Sequence, residues 1–226
     1  MRSNLLRRTV AEFVGTLFLL ATVVGSGVMA EKLAAGNVAL ALLANTIATG
    51  AVLIALILAF GPISGAHLNP VVTLADAWQG GIAWRETPAY LAAQFAGAFA
   101  GVATAHVMFG LTLFSASTHI RSGHAQIFSE FIATFGLLSV IWGCVRHRPT
   151  GIPFAVGTYI TAAYWFTAST SFANPAVTLA RSASNTFAGI RPADTAGFVI
   201  AQLAGAFAAT LLFRWLAPSV RAAGSD

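Results

Sequence analysis

Residues 64–75 read SGAHLNPVVTLA, and residues 170–180 read TSFANPAVTLA. The shared NPxVTLA string decides the fold. Asn is a favoured helix N-cap, and Pro suits the first helical position, where its missing N–H would have no partner anyway. Each string therefore predicts a helix that starts at its proline. The first helix has about eight residues, Val71 to Trp78, before the chain turns polar. At 1.5 Å per residue it is roughly 12 Å long, whereas a bilayer's hydrocarbon core is about 30 Å thick. Each piece covers about half a membrane.

The surroundings say that a membrane is the right reference. The 226-residue chain is 57% hydrophobic and only 8% charged, whereas soluble domains carry about 25% charge. A charge at the centre of a membrane helix costs roughly 2.5–3.5 kcal/mol. The net charge of +5 comes from bases placed singly or in pairs at segment ends. That pattern sets membrane orientation and speaks against nucleic-acid binding. The one cysteine, Cys144, excludes an intramolecular disulfide and a Cys-cluster metal site. The five histidines show no ligand spacing, so neither a metal nor a cofactor is expected.

Full-length apolar segments fall near 10–29, 39–60, 89–110, 126–145, 153–169 and 196–216. The first is read as a membrane helix and not as a cleaved leader. It is long enough to span, and its AEFVGTLFLL returns inside the chain as SEFIATFGLL, residues 129–138. Six spans put both termini on one side. Placing them in the cytoplasm assigns Arg2, Arg7, Arg8, Arg85, Arg146, Arg148, Arg214 and Arg221 inside and leaves Lys32, Arg121, Arg181 and Arg191 outside, as the positive-inside bias requires. The halves repeat. Glu12 matches Glu130, and AQFAGAFAG from Ala93 matches AQLAGAFAA from Ala201 at seven of nine positions. Residues 1–226 read as one domain, with repeat one over about 9–110 and repeat two over about 126–217. Three spans per unit is an odd number, so the second copy inserts upside down, with a pseudo-two-fold axis in the membrane plane.

Inverted symmetry brings the two half-helices together, N-terminus to N-terminus, near the midplane. Irregular backbone at that depth survives only inside protein or along a watery cavity, and the Gly/Ser/Thr-rich stretches before each Asn suit a cavity wall. Asn69 and Asn174 cap through their amide oxygens and still carry N–H donors. Helix N-termini add a positive field. Such a site accepts water or another hydroxylated neutral solute and repels cations. The expected pore centre is Asn69, Pro70, Val71, Asn174, Pro175 and Ala176.

At these residues the chain resembles the aquaporin, or major intrinsic protein, family, over essentially all of residues 9–217. The resemblance implies an all-α bundle of six transmembrane helices plus two re-entrant half-helices, a pore in each subunit and a homotetramer in a bacterial inner membrane. The departures carry information. Family members usually have Arg three residues after the second Asn, where this chain has Val177. Glycerol channels tend to have Asp next, where this chain has Thr178. Counting from the two Asn residues places the family's four constriction positions at Thr49, Ala162, Ser171 and Val177, all small and uncharged. A wide constriction follows, passing water and larger neutral solutes such as glycerol, urea or undissociated arsenious acid; the nearest sub-class is the arsenic-handling bacterial type.

Arg181 lies one turn beyond Val177 on the same helix face. Either it reaches back to replace the missing arginine, or it snorkels to the interface; the second is the expectation. Glu12 and Glu130 are intramembrane acids. The resemblance gives them, with Gln94 and Gln202, the role of holding loop backbone. His67 is read as packing its loop, with a gate at the cytoplasmic pore mouth as the other reading. Gly97/Gly101 and Gly205/Ala209 have small-xxx-small spacing for close helix crossing. The rival function is an ion- or proton-coupled transporter of inverted-repeat type. No nucleophile–base pair or cofactor motif points to an enzyme.

Overall fold

The computed structural model describes residues 4–217, so Arg2 and Arg221 lie outside the described residues. Eight helices make up the described chain, with no strand. They are α1 (Leu5–Leu33), α2 (Val38–Ser64), α3 (Pro70–Gln79), α4 (Thr87–Met108), α5 (His124–His147), α6 (Ile152–Phe166), α7 (Pro175–Arg181) and α8 (Thr195–Leu216). Five have the length and apolarity to cross a membrane: α1, α2, α4, α5 and the segment ending in α8. The sixth crossing, expected over 153–169, is shorter. α6 has 15 residues, extended at its start by a 3₁₀ turn over Pro149–Gly151. It stops at Phe166 because Thr167 is already extended, opening the loop that leads to the second Asn-Pro.

The helices form as local chemistry dictates. Asn4 caps α1 by accepting from the Arg7 amide at 2.9 Å, and Asn37 caps α2 through the Leu40 amide at 3.1 Å. Gly65, at φ 93°, ends α2 in the left-handed conformation that glycine tolerates. Between caps, the usual polarity order is reversed. On α2, Asn45, Thr46 and Thr49 are buried while Leu40, Leu43, Ile47 and Leu58 are exposed. The apolar side chains face the surface that lipid would cover, and the polar ones find partners inside. Asn45 Nδ2, for example, donates to the Val23 carbonyl at 2.8 Å and to Ser26 Oγ at 2.9 Å on α1.

Helix pairs α1/α4 and α5/α8 pack at backbone distance. A Cβ added at Gly97 would lie 2.3 Å from the Phe13 carbonyl oxygen, and one at Gly205 would lie 2.5 Å from that of Phe131. Without a hydrophobic drive between helices in lipid, such close approach supplies the packing energy. The ends of the bundle are tied as well. Arg8 donates to the Tyr90 hydroxyl at 2.8 Å and pairs with Glu86 at 3.0 Å, and Tyr90 donates to the Ser64 carbonyl at 2.8 Å. The start of α1, the end of α2 and the start of α4 therefore share one end of the bundle. The Arg214 guanidinium lies 5.2 Å from the Trp78 ring, which brings the end of α8 to the same end. At the opposite end, the loop before α5 is fastened by Arg121 N–H to Asp194 Oδ2 at 2.9 Å. The Arg191 guanidinium, 2.7 Å from Asp194, holds that carboxyl below its ordinary range, so it stays charged at neutral pH.

Gly97→Val is expected to destabilise the detergent-solubilised protein by about 1–3 kcal/mol, because the obstacle is backbone and cannot yield. Gly61→Ala, which meets nothing within 4 Å, is expected to stay within about 0.5 kcal/mol of wild type. Thermal unfolding of the two variants side by side checks both; equal melting temperatures would rule out the packing account.

Candidate functional site

The stretch before each Asn-Pro is irregular and strained. Ala66 and Leu68 have φ of 46° and 50°, and Ser171 and Ala173 have φ of 50° and 48°. Non-glycine residues in that region cost roughly 1–3 kcal/mol each and persist only where surroundings force them. Two buried carboxylates do the forcing. Glu12 accepts from the His67 amide at 3.0 Å, the Leu68 amide at 2.7 Å, Ser64 Oγ at 2.6 Å and Gln94 Nε2 at 2.8 Å. Glu130 accepts from the Phe172 amide at 2.8 Å, the Ala173 amide at 2.9 Å and Gln202 Nε2 at 2.6 Å. Both glutamates and both glutamines are 0% exposed. Each glutamine also donates to the threonine of the adjacent half-helix, Gln94 to Thr73 and Gln202 to Thr178, both at 2.8 Å. Loop, half-helix and spanning helix are thereby locked in one network.

With the loops so held, the half-helices α3 and α7 meet N-terminus to N-terminus. Asn69 Oδ1 accepts from the Val71 amide at 3.1 Å, and Asn174 Oδ1 accepts from the Ala176 amide at 3.0 Å and the Val177 amide at 3.3 Å. The other end of each amide crosses to the opposite motif. Asn69 Nδ2 donates to the Ala173 carbonyl and Asn174 Nδ2 to the Leu68 carbonyl, each at 2.8 Å. One of the two Nδ2 hydrogens on each Asn is thus taken up by the clasp, and the other remains for the lumen. Pro70, Val71, Pro175 and Ala176 are buried in the protein behind this point and do not line the cavity.

A lumen passes the two Asn residues. At the end shared by the start of α1 and the end of α8, its wall includes His67 and Asp76, which also border a second, more polar recess. His67 Nε2 is 3.5 Å from Asp76 Oδ2, and His67 Nδ1 is 3.1 Å from Thr73 Oγ1. Toward the opposite end the wall is formed by Thr49, Tyr164, Ser171, Val177 and Arg181.

Three of the four expected constriction residues therefore come together. The fourth does not: Ala162 is exposed on the outer face of α6 and is absent from the wall. Tyr164, two residues on, takes the inward place, with its hydroxyl 3.3 Å from Thr49 Oγ1. Two residues on a helix turn the side chain by about 200°, so a slip of two exchanges the faces. The expected placement of Arg181 at the interface is also overturned. Arg181 is 2% exposed, donates from Nε to the Ala188 carbonyl, and has its Cζ 3.5 Å from the centroid of the Phe172 ring. The chain after α7 folds back over it, so the side chain has no route to an interface. Sequence reasoning passed over Tyr164 and Asp76. The signal for Asp76 was available, as it is the one acid in the NPVVTLAD segment.

A protein-family model described as Major intrinsic protein matches residues 1–158. The aquaglyceroporin AqpS of Rhizobium meliloti (strain 1021) is 56% identical over 218 residues, covering 96% of this chain and 93% of that relative. The aquaporin NIP1-4 of Oryza sativa subsp. japonica is 38% identical over 143 residues, or 62% of this chain and 51% of that protein. The crystal structure of the aquaglyceroporin from Plasmodium falciparum superposes with a TM-score of 0.75 at 20% identity, covering 95% of this chain and 98% of that one, a likeness of fold.

Glu130→Gln turns an acceptor into a donor facing the loop amides. It is expected to cost about 1.5–3 kcal/mol, the usual worth of a hydrogen bond to a charged group. Glu12→Gln is expected to cost a similar amount. Both should lower the melting temperature and water permeability together. A Glu130→Gln protein as stable and as permeable as wild type would show that the loop does not depend on the carboxylate.

Proposed function

Since the chain belongs to the major intrinsic protein family and is a multi-pass membrane channel, not an enzyme, we propose that it passes water and small uncharged, hydroxyl-rich solutes passively, in single file. The candidate solutes are glycerol, urea and undissociated metalloid acids such as arsenious acid. The observation that carries this reading is the wall at Thr49, Ser171 and Val177, three short uncharged side chains on one lumen. A short aliphatic at position 177 leaves room for a solute with a carbon or metalloid centre. The Asn clasp offers one N–H donor from each motif, and hydroxyl oxygens can accept these in place of water. The high identity to a bacterial aquaglyceroporin supports the glycerol-sized class.

The same reading places the termini and the His67–Asp76 pair on the cytoplasmic side. Arg7, Arg8, Arg85, Arg146, Arg148 and Arg214 cluster at that end, as the positive-inside bias favours. It puts the chain in a bacterial inner membrane as a homotetramer with one pore per subunit. A proton-coupled transporter would need an acid that loads and unloads from the path. Glu12 and Glu130 are fully buried, with their oxygens engaged by loop and side-chain donors. That arrangement suits a scaffold and offers no alternating proton site.

Stopped-flow light scattering on proteoliposomes tests the proposal. Water, glycerol and arsenious acid are all expected to enter with low activation energy and without dependence on a proton gradient. Val177→Phe is expected to reduce glycerol and arsenious acid entry by about tenfold or more while reducing water less, since steric exclusion rises steeply with solute width. Passage of water alone through the wild type would overturn the wide-constriction reading; flux that follows an imposed pH gradient would overturn the channel reading.

A further inference from the structure

Arg181 is a charge enclosed in the protein with no ion-pair partner among the described residues, although Glu130 lies near enough to act on it. The ion pairs among the described residues are Arg8–Glu86, His67–Asp76 and Arg191–Asp194, and none involves Arg181. Its guanidinium is instead cradled. Nε donates to the Ala188 carbonyl, Cζ sits over the Phe172 ring 3.5 Å from its centroid, and the Tyr164 hydroxyl faces it. A second guanidinium, that of Arg121, approaches the same Phe172 ring at 5.1 Å and donates to the Gly189 carbonyl at 2.8 Å. Aromatic faces attract cations, so one ring helps hold two positive charges at this end of the lumen. Guanidinium carries five N–H donors and stays protonated at any ordinary pH. Apart from the Nε–Ala188 bond and the Tyr164 contact, no protein acceptor is found for them among the described residues. Arg181 lines the same lumen as Thr49, Ser171 and Val177, and Ser171 Oγ there also lacks a protein partner.

We propose that Arg181 is the specificity-determining charge of this pore, set one helical turn beyond the steric ring at Val177 and held by Phe172 and Ala188. Size is selected at Val177 and charge at Arg181. The fixed guanidinium repels cations entering from that end and donates hydrogen bonds to the oxygens of neutral polyhydroxylated solutes, turning them before they meet the ring. The separation lets the ring be wide without the pore becoming leaky to sodium or protons. The inference rests on the lumen being the conduction path.

The experiment measures sodium and water permeability in the same proteoliposomes, so that the ratio is taken only over assembled, water-conducting protein. Arg181→Gln is expected to raise the sodium-to-water ratio about tenfold or more, because a fixed charge in a poorly screened lumen is removed. Arg181→Gln combined with Val177→Arg is expected to restore the wild-type ratio, which general damage to the pore would not allow. Arg181→Lys supplies an independent reading should the glutamine variant fail to assemble. A buried lysine loses its proton more easily than one in water, so its leak is expected to rise between about pH 7 and about pH 9.5 while the wild type stays flat. Arg121, Glu130 and Tyr164 are the other charged or titratable groups around the position, and the wild-type curve controls for them. An unchanged ratio in Arg181→Gln, or a flat pH profile in Arg181→Lys, would overturn the assignment. If neutral solutes fail to pass the wild type, the solute reading fails instead, whatever the sodium ratio does.

Discussion

Two crossed hydrogen bonds, from Asn69 to the Ala173 carbonyl and from Asn174 to the Leu68 carbonyl, hold the middle of the molecule. Each half-helix is too short to span, and each begins where a bilayer tolerates unpaired backbone least. The clasp settles both difficulties with one side-chain type. The amide oxygen caps its own helix, and the amide nitrogen satisfies the last carbonyl of the opposing loop. Aspartate could cap but could not donate across the gap, and it would bring a second negative charge to a buried place. Asparagine supplies both halves of the exchange while remaining neutral. On the proposed reading, that neutrality suits a pathway that must be wet yet hold neither cation nor proton.

The clasp only works if the loops before it are kept in left-handed turns, and that cost is met from the spanning helices. Glu12 and Glu130 are charges in the membrane interior, expensive in isolation. Each becomes tolerable by collecting consecutive loop amides and a glutamine. The glutamine in turn reaches the threonine at the start of the adjacent half-helix. Close packing at Gly97 and Gly205 brings α4 and α8 near enough to α1 and α5 for those glutamines to arrive. Small residues on one face of a helix thus determine whether an acid on the next helix can be solvated by protein. The strain, the buried charges and the glycine contacts are parts of one arrangement.

Much of this was legible in the chain because it was written twice. Repetition separates signal from chance: a single Asn-Pro means little, but two, each preceded by a glutamate on the first span of its unit and followed by Ala-Gln, fix the plan of the molecule. What repetition could not supply was rotation about a helix axis where polar groups do not single out the inward face. α6 carries the hydroxyls of Thr158, Tyr159, Thr161 and Tyr164 on more than one face, so counting alone put Ala162 at the lumen when the fold puts Tyr164 there. On α2 the buried Asn45, Thr46 and Thr49 mark the inner stripe, and Thr49 lies on the lumen wall. Span length failed for a related reason. A hydropathy run does not distinguish the last turn of α6 from the extended apolar chain that follows it.

Arg181 shows the other limit of reading along the chain. One-dimensional distance from the motif suggested a side chain free to leave the membrane, since it stands at the end of a half-helix among small polar residues. The deciding contact comes from seven residues later, where the backbone returns to lay the Ala188 carbonyl on its Nε. A loop of Ser, Asn, Thr and Gly advertises exposure by composition, yet Ser184, Ala188 and Ile190 within it are fully buried. The reason is that the loop must seal the end of the bundle around a guanidinium. Leaving that guanidinium in lipid would be prohibitive. Stacking it on Phe172 turns an otherwise costly charge into a fixed electrostatic element of the wall. On the proposed reading, a short side chain at Val177 without that charge would widen the pore for cations as much as for neutral solutes. With it, the two requirements on the pore, breadth and charge exclusion, need not fall on the same residue.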